Sequence, residues 1–216
     1  MLKDTYKHKG LRNNLVAELR KKGITDSRVL KAVDTVPRHF FMDSAFLTHS
    51  YQDKAFGIGE GQTISQPYTV AFQTSLLQIQ KEENVLEIGT GSGYQAAILM
   101  SLGANLVSIE YNKNLHLKAK KMLQLMNFKG TYILGDGSQG YSNAAPYDKV
   151  LVTAGSPTIP MALINQLKIG GMLVVPVGDE QTQKMLRLTK LSDSKIKKEE
   201  FGNFSFVKLL GEKGWK

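Results

Sequence analysis

Short apolar segments alternate with amphipathic segments from residue 84 onward. Apolar runs typical of buried strands occur at 84–88, 106–109, 131–134, 149–152 and 172–177. Helical periodicity, with apolar residues every three or four positions, lies between them at 93–102, 112–126 and 160–167. This alternation predicts a mostly parallel sheet covered by helices on both faces. Two later segments, 185–191 and 204–210, alternate more and are predicted as strands at one edge.

The first 80 residues have a different pattern. Leu11, Leu15 and Leu19 recur at helical spacing before Gly23, and a second amphipathic helix is expected to end at Pro37. The segment 40–66 is mixed and glycine-containing, so it is predicted to be irregular, and long loops of this kind are often functional. A further helix is expected from Pro67 to about residue 79.

Composition narrows the class of protein. A hydrophobic fraction of 42% and a charged fraction of 22% are ordinary for a folded domain. The chain has no cysteine, which excludes disulfides, thiolate metal sites and cysteine nucleophiles and is compatible with a reducing compartment. No apolar stretch is long enough for a signal peptide or a membrane span, so the cytoplasm is the expected location. The net charge of +9 is concentrated in the flanks, which does not favour a nucleic-acid enzyme.

A glycine-rich turn follows the strand at 84–88. The strand carries Glu87 and then leads through Gly89, Gly91 and Gly93 into a helix. In an open α/β sheet, ligands bind beyond the carboxyl ends of the strands, beside helix N-termini. Glycines allow a ligand to approach the backbone closely because no Cβ intervenes. The turn is therefore predicted to bind a cofactor.

Two cofactor classes compete for this turn. The dinucleotide fingerprint is G-x-G-x-x-G, but Tyr94 stands where its third glycine belongs. A pyrophosphate would also be disfavoured beside Glu87, whereas a cationic sulfonium ligand would tolerate or prefer that carboxylate. The pattern E-x-G-x-G-x-G resembles the first motif of the S-adenosylmethionine methyltransferases, so S-adenosyl-L-methionine is the expected cofactor.

Two further acids follow the next two predicted strands. A carboxylate at Glu110 can accept both ribose hydroxyls, a device that NAD enzymes share, and Asp136 can accept from the adenine amino group. Three acids at the ends of three successive strands favour one common binding site. The expected cofactor-binding residues are Glu87, Gly89, Thr90, Gly91, Ser92, Gly93, Glu110, Asp136 and Gly137.

The acceptor of the methyl group is indicated by what the chain lacks and by one polar loop. The four histidines have no metal-ligand spacing, so no metal site is expected. A carboxylate acceptor needs no general base because it is already ionised at neutral pH. The loop at 57–68 supplies hydroxyl and amide groups, ahead of a helix, that can orient such an oxygen.

The run G-x-G-Q-T-I-S-Q-P at 59–67 resembles the signature of the protein-L-isoaspartate (D-aspartate) O-methyltransferase family. Other matches occur in order at 36–41, 87–94, 145–148, 152–154, 166–171 and 175–178, and the resemblance covers about residues 10–211. It implies a doubly wound α/β fold with a mostly parallel, seven-stranded-type sheet, N-terminal helices and an antiparallel C-terminal edge. One domain over 1–216 is expected, with a helical and substrate-loop region at 1–80, a cofactor-binding core at 81–180 and edge strands at 181–216.

The resemblance also assigns residues to the acceptor site. Ser65 is expected to be the catalytic hydroxyl that orients the carboxylate, with a plain helix N-cap as its alternative role. The expected substrate-binding residues are Thr63, Ile64, Gln66, Thr153, Ala154 and Val207. The implied reaction esterifies L-isoaspartyl residues of damaged proteins and peptides and begins their repair through a succinimide. No nucleic-acid or membrane partner is expected, and the chain is expected to be a monomer.

The sequence departs from the family pattern at a few positions and is compatible with two rival functions. Many relatives have proline at Lys208, Leu-Pro at Ala55-Phe56 and alanine at Gly155, so this chain departs from the family pattern at these positions. One rival is a nucleic-acid amino-methyltransferase, whose (D/N/S)-P-P-(Y/F) motif is partly mimicked at 65–68 but broken by Gln66. The other rival is a non-enzymatic binding module with the same fold.

Overall fold

The computed structural model describes residues 3–215. The helices are α1 (Tyr6–Lys21), α2 (Ser27–Thr35), α3 (Pro67–Leu77), α4 (Tyr94–Ser101), α5 (Lys113–Leu125) and α6 (Met161–Asn165). The strands are β1 (Phe56–Gly59), β2 (Gln62–Ile64), β3 (Asn84–Ile88), β4 (Asn105–Glu110), β5 (Thr131–Leu134), β6 (Tyr147–Val152), β7 (Leu167–Gly178), β8 (Gln183–Lys190) and β9 (Ile196–Phe204). Short 3-10 turns occur at Arg38–Phe41, Ser44–His49, Gly137–Gln139 and Ser142–Ala144.

Seven strands form one sheet in the order β5-β4-β3-β6-β7-β8-β9. The first five strands of that order are parallel, whereas β8 and β9 are antiparallel to their neighbours. The strand order reverses between β3 and β6, and this switch point is where open α/β sheets bind their ligands. The predicted fold class is confirmed, including the N-terminal helices and the antiparallel edge.

Both faces of the central strands are buried. Val85 and Leu151 pack into a core shared with the N-terminal helices, while Leu86 and Val150 pack into a second core on the opposite face. All four side chains are inaccessible to solvent. Covered faces on both sides explain why these strands carry apolar residues at successive positions rather than only at alternating ones.

The N-terminal helices form a cap on one side of the sheet. Asp26 begins α2 as its N-cap, accepting hydrogen bonds from the backbone N–H groups of Arg28 and Val29. Leu15 and Leu19 of α1 pack into the same core as the apolar face of α2. No helix within residues 3–215 is both long enough and apolar enough to cross a membrane.

The structure corrects two sequence-based predictions. The segment 40–66, predicted to be irregular, contains two 3-10 turns and the antiparallel hairpin β1–β2. The prediction of an edge strand at 204–210 is wrong, because the edge strand is β9 and the chain after it returns toward Gly155. Four consecutive residues of β9, 197–200, are lysine or glutamate, so this strand lacks the apolar alternation that predicts strands.

Candidate active site

The glycine-rich turn after β3 lies at the switch point of the sheet. The backbone N–H groups of Gly89 and Thr90 both donate to the carbonyl of Ile109, at 2.9 and 3.2 Å, which ties the turn to β4. Gly89 has φ of +94°, and a Cβ there would lie 2.5 Å from Thr153 Oγ1. Glycine is thus required at position 89 for two reasons: the positive φ disfavours other residues, and a Cβ would collide with the side chain of Thr153.

Glu110 is held in a fixed orientation at the end of β4. Its Oε2 accepts from the backbone N–H of Gly91 at 2.7 Å, and its Oε1 accepts from that of Asn112 at 2.9 Å. Each carboxylate oxygen can accept more than one hydrogen bond, so capacity remains for ligand hydroxyls. The carboxylate is therefore preorganised beside the glycine-rich turn.

One pocket contains most of the residues that the sequence assigns to the two binding sites. Its walls include the predicted acceptor residues Thr63, Ile64, Ser65, Thr153, Ala154 and Val207. They also include the predicted cofactor residues Gly89, Thr90, Gly91, Ser92, Glu110 and Gly137. The carboxyl ends of β3, β4 and β6 and the hairpin β1–β2 thus bring separate sequence segments to one cavity.

Four of the predicted residues lie outside the lining of this pocket. The amide of Gln66 donates to Asp53 Oδ2 at 3.0 Å. Gly93 faces α5, since a Cβ there would lie 3.1 Å from Leu123 Cδ1. The Asp136 carboxylate accepts from the backbone N–H groups of Ser138 and Glu212, at 2.8 and 2.7 Å. The fourth residue is Glu87.

Glu87 is fully buried beneath the glycine-rich turn. Ser108 Oγ lies 2.5 Å from Glu87 Oε2 and 2.6 Å from Thr90 Oγ1, so the three side chains form a chain of hydrogen bonds. Glu87 Oε1 has no partner within the described residues. Burial raises the pKa of Glu87 to about 8, because the charged form is poorly solvated there. Glu87 therefore supports the turn from below and is mostly protonated at neutral pH.

This protonation state gives a testable stability effect. The folded-state pKa of Glu87 is about 8, above its ordinary value of 4.5, so the native protein holds a proton that the unfolded chain releases. Its contribution to the free energy of unfolding is complete below pH 4.5 and falls by about 1.4 kcal/mol per pH unit toward pH 8. Glu87→Gln is expected to remove this slope, as measured by urea unfolding between pH 5 and 9. Glu82→Gln, at an exposed position, should keep the slope, and an unchanged slope in Glu87→Gln would contradict the buried neutral carboxyl.

The structure separates Ser65 from the capping of α3. The N-cap of α3 is Gln66, and it makes no side-chain capping hydrogen bond. Asp53 performs that task from a distant segment, since its Oδ1 accepts from the backbone N–H of Tyr68 at 2.7 Å. The N-cap alternative for Ser65 is therefore wrong, and Ser65 is one of the residues that line the pocket.

Arg38 anchors the backbone of Ser65 from inside the protein. Its guanidinium is fully buried and donates to the carbonyls of Ser65, Ser50 and Lys54 at 3.0, 3.1 and 3.2 Å. The group lies over the ring of Tyr94 at 5.1 Å, and burial lowers the pKa of Arg38 to about 10. Sequence reasoning treated Arg38 only as part of a motif. The sequence signal that could have indicated its buried role is a charged residue within the mostly apolar segment 36–41.

The hairpin β1–β2 covers the glycine-rich turn. A Cβ at Gly91 would meet Ile58 Cδ1 at 3.6 Å, so the hairpin lies directly on the turn. The Glu60 carboxylate at the hairpin tip accepts from the side-chain amides of Asn112 and Asn114, at 3.0 and 2.8 Å. This contact closes one side of the pocket.

Twelve residues line the pocket that were not predicted from the sequence. They are Glu60, Gln62, Val70, Ile88, Tyr94, Gln95, Ile109, Tyr111, Asn112, Lys208, Leu209 and Leu210.

The chemistry of the lining distinguishes between the two cofactor classes. The charged residues of the lining, within the described chain, are Glu60, Glu110 and Lys208, so carboxylates predominate. Such a lining suits a cationic sulfonium compound with ribose hydroxyls better than it suits a pyrophosphate. Tyr94, at the position of the third dinucleotide glycine, is buried against Phe41 with a centroid distance of 5.7 Å. The fold and the site together define an S-adenosylmethionine-dependent methyltransferase.

Comparison with known proteins narrows this class to one family. The model of the protein-L-isoaspartate(D-aspartate) O-methyltransferase family matches residues 10–214. The chain is 58% identical to the protein-L-isoaspartate O-methyltransferase of Cytophaga hutchinsonii, over 99% of this chain and 97% of that protein. The corresponding protein of Christiangramia forsetii is 53% identical, over 98% of this chain and all of the relative. The chain belongs to the protein-L-isoaspartate(D-aspartate) O-methyltransferase family.

Solved structures agree with this assignment at the level of the fold. A protein-L-isoaspartate O-methyltransferase superposes with a TM-score of 0.85 at 29% identity, covering 94% of this chain and 67% of the other. A beta-aspartate methyltransferase from Plasmodium falciparum, solved with S-adenosyl-L-homocysteine, superposes with a TM-score of 0.79 at 22% identity. That comparison covers 92% of this chain and 98% of the other.

Proposed function

We propose that this chain transfers a methyl group from S-adenosyl-L-methionine to the free carboxylate of L-isoaspartyl, and D-aspartyl, residues in damaged proteins and peptides. The observation that supports this most directly is a single pocket that contains both Ser65 and the preorganised carboxylate of Glu110. Family membership identifies the acceptor as an isoaspartyl residue. The backbone amide nitrogen of the following residue then attacks the product ester and displaces methanol, and hydrolysis of the resulting succinimide returns part of the chain to the normal aspartyl linkage.

The cofactor would be held by the glycine-rich turn and by Glu110. We assign binding contacts to Gly89, Thr90, Gly91 and Ser92 at the turn, and hydroxyl recognition to Glu110. When bound, S-adenosylmethionine supplies an electrophilic methyl group. Glu87 supports the turn through Ser108 and Thr90 rather than by direct contact. Gly93, Asp136 and Gly137 shape the same end of the sheet, with Gly137 in the pocket wall.

Ser65 would orient the acceptor. Its hydroxyl can donate one hydrogen bond to the isoaspartyl carboxylate, which is ionised at neutral pH and needs no general base. Ile64 and Ala154 are buried in the pocket wall beside it and exclude water. Thr63, Thr153 and Val207 also line the pocket. Gln66 lies outside the lining, where its amide donates a hydrogen bond to Asp53. Correct placement of two reactants is itself a large contribution to rate.

A pair of peptides tests this function. The peptides share one sequence and differ only in an isoaspartyl or an aspartyl linkage at one position. Incubation with methyl-labelled S-adenosylmethionine is expected to label the isoaspartyl peptide and leave its twin, DNA and RNA unlabelled. Equal labelling of both peptides would contradict the proposed acceptor, and labelling of nucleic acid alone would support the amino-methyltransferase instead.

We further propose that the chain works as a single-domain monomer in the cytoplasm. A chain with no cysteine is compatible with a reducing compartment. Light scattering coupled to size-exclusion chromatography at micromolar concentration is expected to give the mass of one chain, 23.9 kDa. A mass of twice that value would contradict the monomer.

A further inference from the structure

The segment around Lys208 forms a fixed part of the pocket wall. The backbone N–H of Gly155 donates to the carbonyl of Val207 at 2.8 Å, and that of Leu209 donates to the carbonyl of Gly155 at 2.9 Å. Lys208 therefore pairs with Gly155, the residue after Ala154, and it lines the same pocket as Ser65. Its position relative to the acceptor residues is set by backbone hydrogen bonds rather than by a flexible loop.

Lys208 gives this side of the pocket its positive charge. Among the lining residues that the structure describes, it is the only lysine or arginine. The two carboxylates of the lining are engaged elsewhere, since Glu60 bonds to Asn112 and Asn114, and Glu110 bonds to the turn. The ammonium of Lys208 is paired with Glu180, which does not line the pocket, so it is offered to flanking residues of a bound peptide rather than to the reacting carboxylate.

The present partner of Lys208 is easily replaced. Lys208 Nζ lies 2.8 Å from Glu180 Oε1, and the two side chains are 43% and 55% exposed. The ammonium also lies 5.9 Å from the ring centroid of Trp215. Ion pairs between exposed side chains contribute little free energy, so another carboxylate can displace Glu180 from the ammonium.

We propose that Lys208 is a specificity-determining residue that favours isoaspartyl substrates carrying an acidic side chain within two residues of the damaged position. Glu180 competes with that side chain for the ammonium and so weakens the preference. An extended peptide spans about 3.3 Å per residue, so the window covers about 7 Å of chain on either side of the damaged position. This inference rests on the proposed function of the pocket.

The test compares isoaspartyl peptides that differ only in glutamate or glutamine at one flanking position, scanned over two residues on each side. The wild-type protein is expected to show a kcat/KM ratio of about two- to five-fold in favour of glutamate at one or more positions. The ratio should decline with added salt, because the pair is exposed. A ratio measured within one protein preparation does not depend on the fraction of active enzyme.

Three variants make the prediction specific. Lys208→Gln should bring the ratio to one or below, because Glu180 remains and repels the acidic peptide. Glu180→Gln should raise the ratio above the wild-type value. Lys184→Gln removes a similarly exposed ion pair, with Glu200, outside the pocket lining and should leave the ratio unchanged.

The outcomes separate this inference from the function on which it rests. If the wild-type protein methylates isoaspartyl peptides but Lys208→Gln keeps the wild-type ratio, the role of Lys208 is overturned and the function stands. A lowered ratio in Glu180→Gln would also overturn it. If no isoaspartyl peptide is methylated by the wild-type protein, the proposed function is overturned and the inference with it.

Discussion

Replacing Ser65 by alanine is expected to lower kcat about 100-fold while the dissociation constant of the cofactor stays unchanged. A hydrogen-bond donor aimed at a reacting oxygen contributes on this scale when it acts in the transition state. The glycine-rich turn and Glu110 remain intact in the variant, so cofactor binding is preserved. Initial rates with an isoaspartyl peptide, together with calorimetric titration of the cofactor, measure both quantities.

A serine in the following helix supplies the matched control for Ser65. Ser75 Oγ donates to the carbonyl of Ala71 within α3 at 2.8 Å, and Ser75 is not part of the pocket. Ser75→Ala is expected to keep wild-type turnover. Unchanged turnover in Ser65→Ala would refute the role assigned to that hydroxyl, and a change in cofactor affinity alone would assign Ser65 to the other half of the pocket.

Replacing Arg38 by methionine is expected to lower the free energy of unfolding by about 3 kcal/mol or more. The substitution leaves the carbonyls of Ser50, Lys54 and Ser65 without their buried donor, and each unsatisfied group costs about 1–3 kcal/mol. Any folded variant should also have lower turnover, because the backbone of Ser65 loses its anchor. Urea unfolding at neutral pH and peptide methylation measure the two effects.

Two further arginine variants serve as controls for the stability loss expected in Arg38→Met. Arg20→Met, at an exposed position of α1, is expected to change stability by less than about 0.5 kcal/mol. Arg38→Lys keeps the charge but loses the planar fork that serves three carbonyls at once, so it should restore only part of the stability. A loss below 1 kcal/mol in Arg38→Met would mean that water or a rearranged backbone replaces these bonds.

The sheet was predictable from the sequence where burial dictates it. β3 and β6 are covered on both faces, so most of their buried residues are apolar at successive positions, and these apolar runs marked them. β9 was not predicted, because it is a largely exposed edge strand that is held to β8 by backbone hydrogen bonds rather than by buried apolar side chains. The hairpin β1–β2 was not predicted either, because its tip is held by Asn112 and Asn114, which are more than fifty residues away in the sequence.

The site was predictable where a local pattern encodes the geometry. The glycine spacing after β3 and the acid at Glu110 follow from the needs of a turn that approaches a ligand. The serine motif located Ser65 only through family resemblance. Arg38 and Lys208 could not be placed, because their significance arises from partners distant in sequence, Ser65 and Glu180. The complete burial of Glu87 likewise depends on packing that no short motif specifies.

The proposed chemistry of the pocket is delivery of a methyl group to an anionic oxygen of an isoaspartyl residue. The most direct measurement is the chemical stability of the transferred label in an isoaspartyl peptide that also contains lysine and histidine. A methyl ester releases labelled methanol in mild base, and essentially all of the label is expected to be lost in this way. Label that survives the base treatment on a nitrogen atom would contradict it.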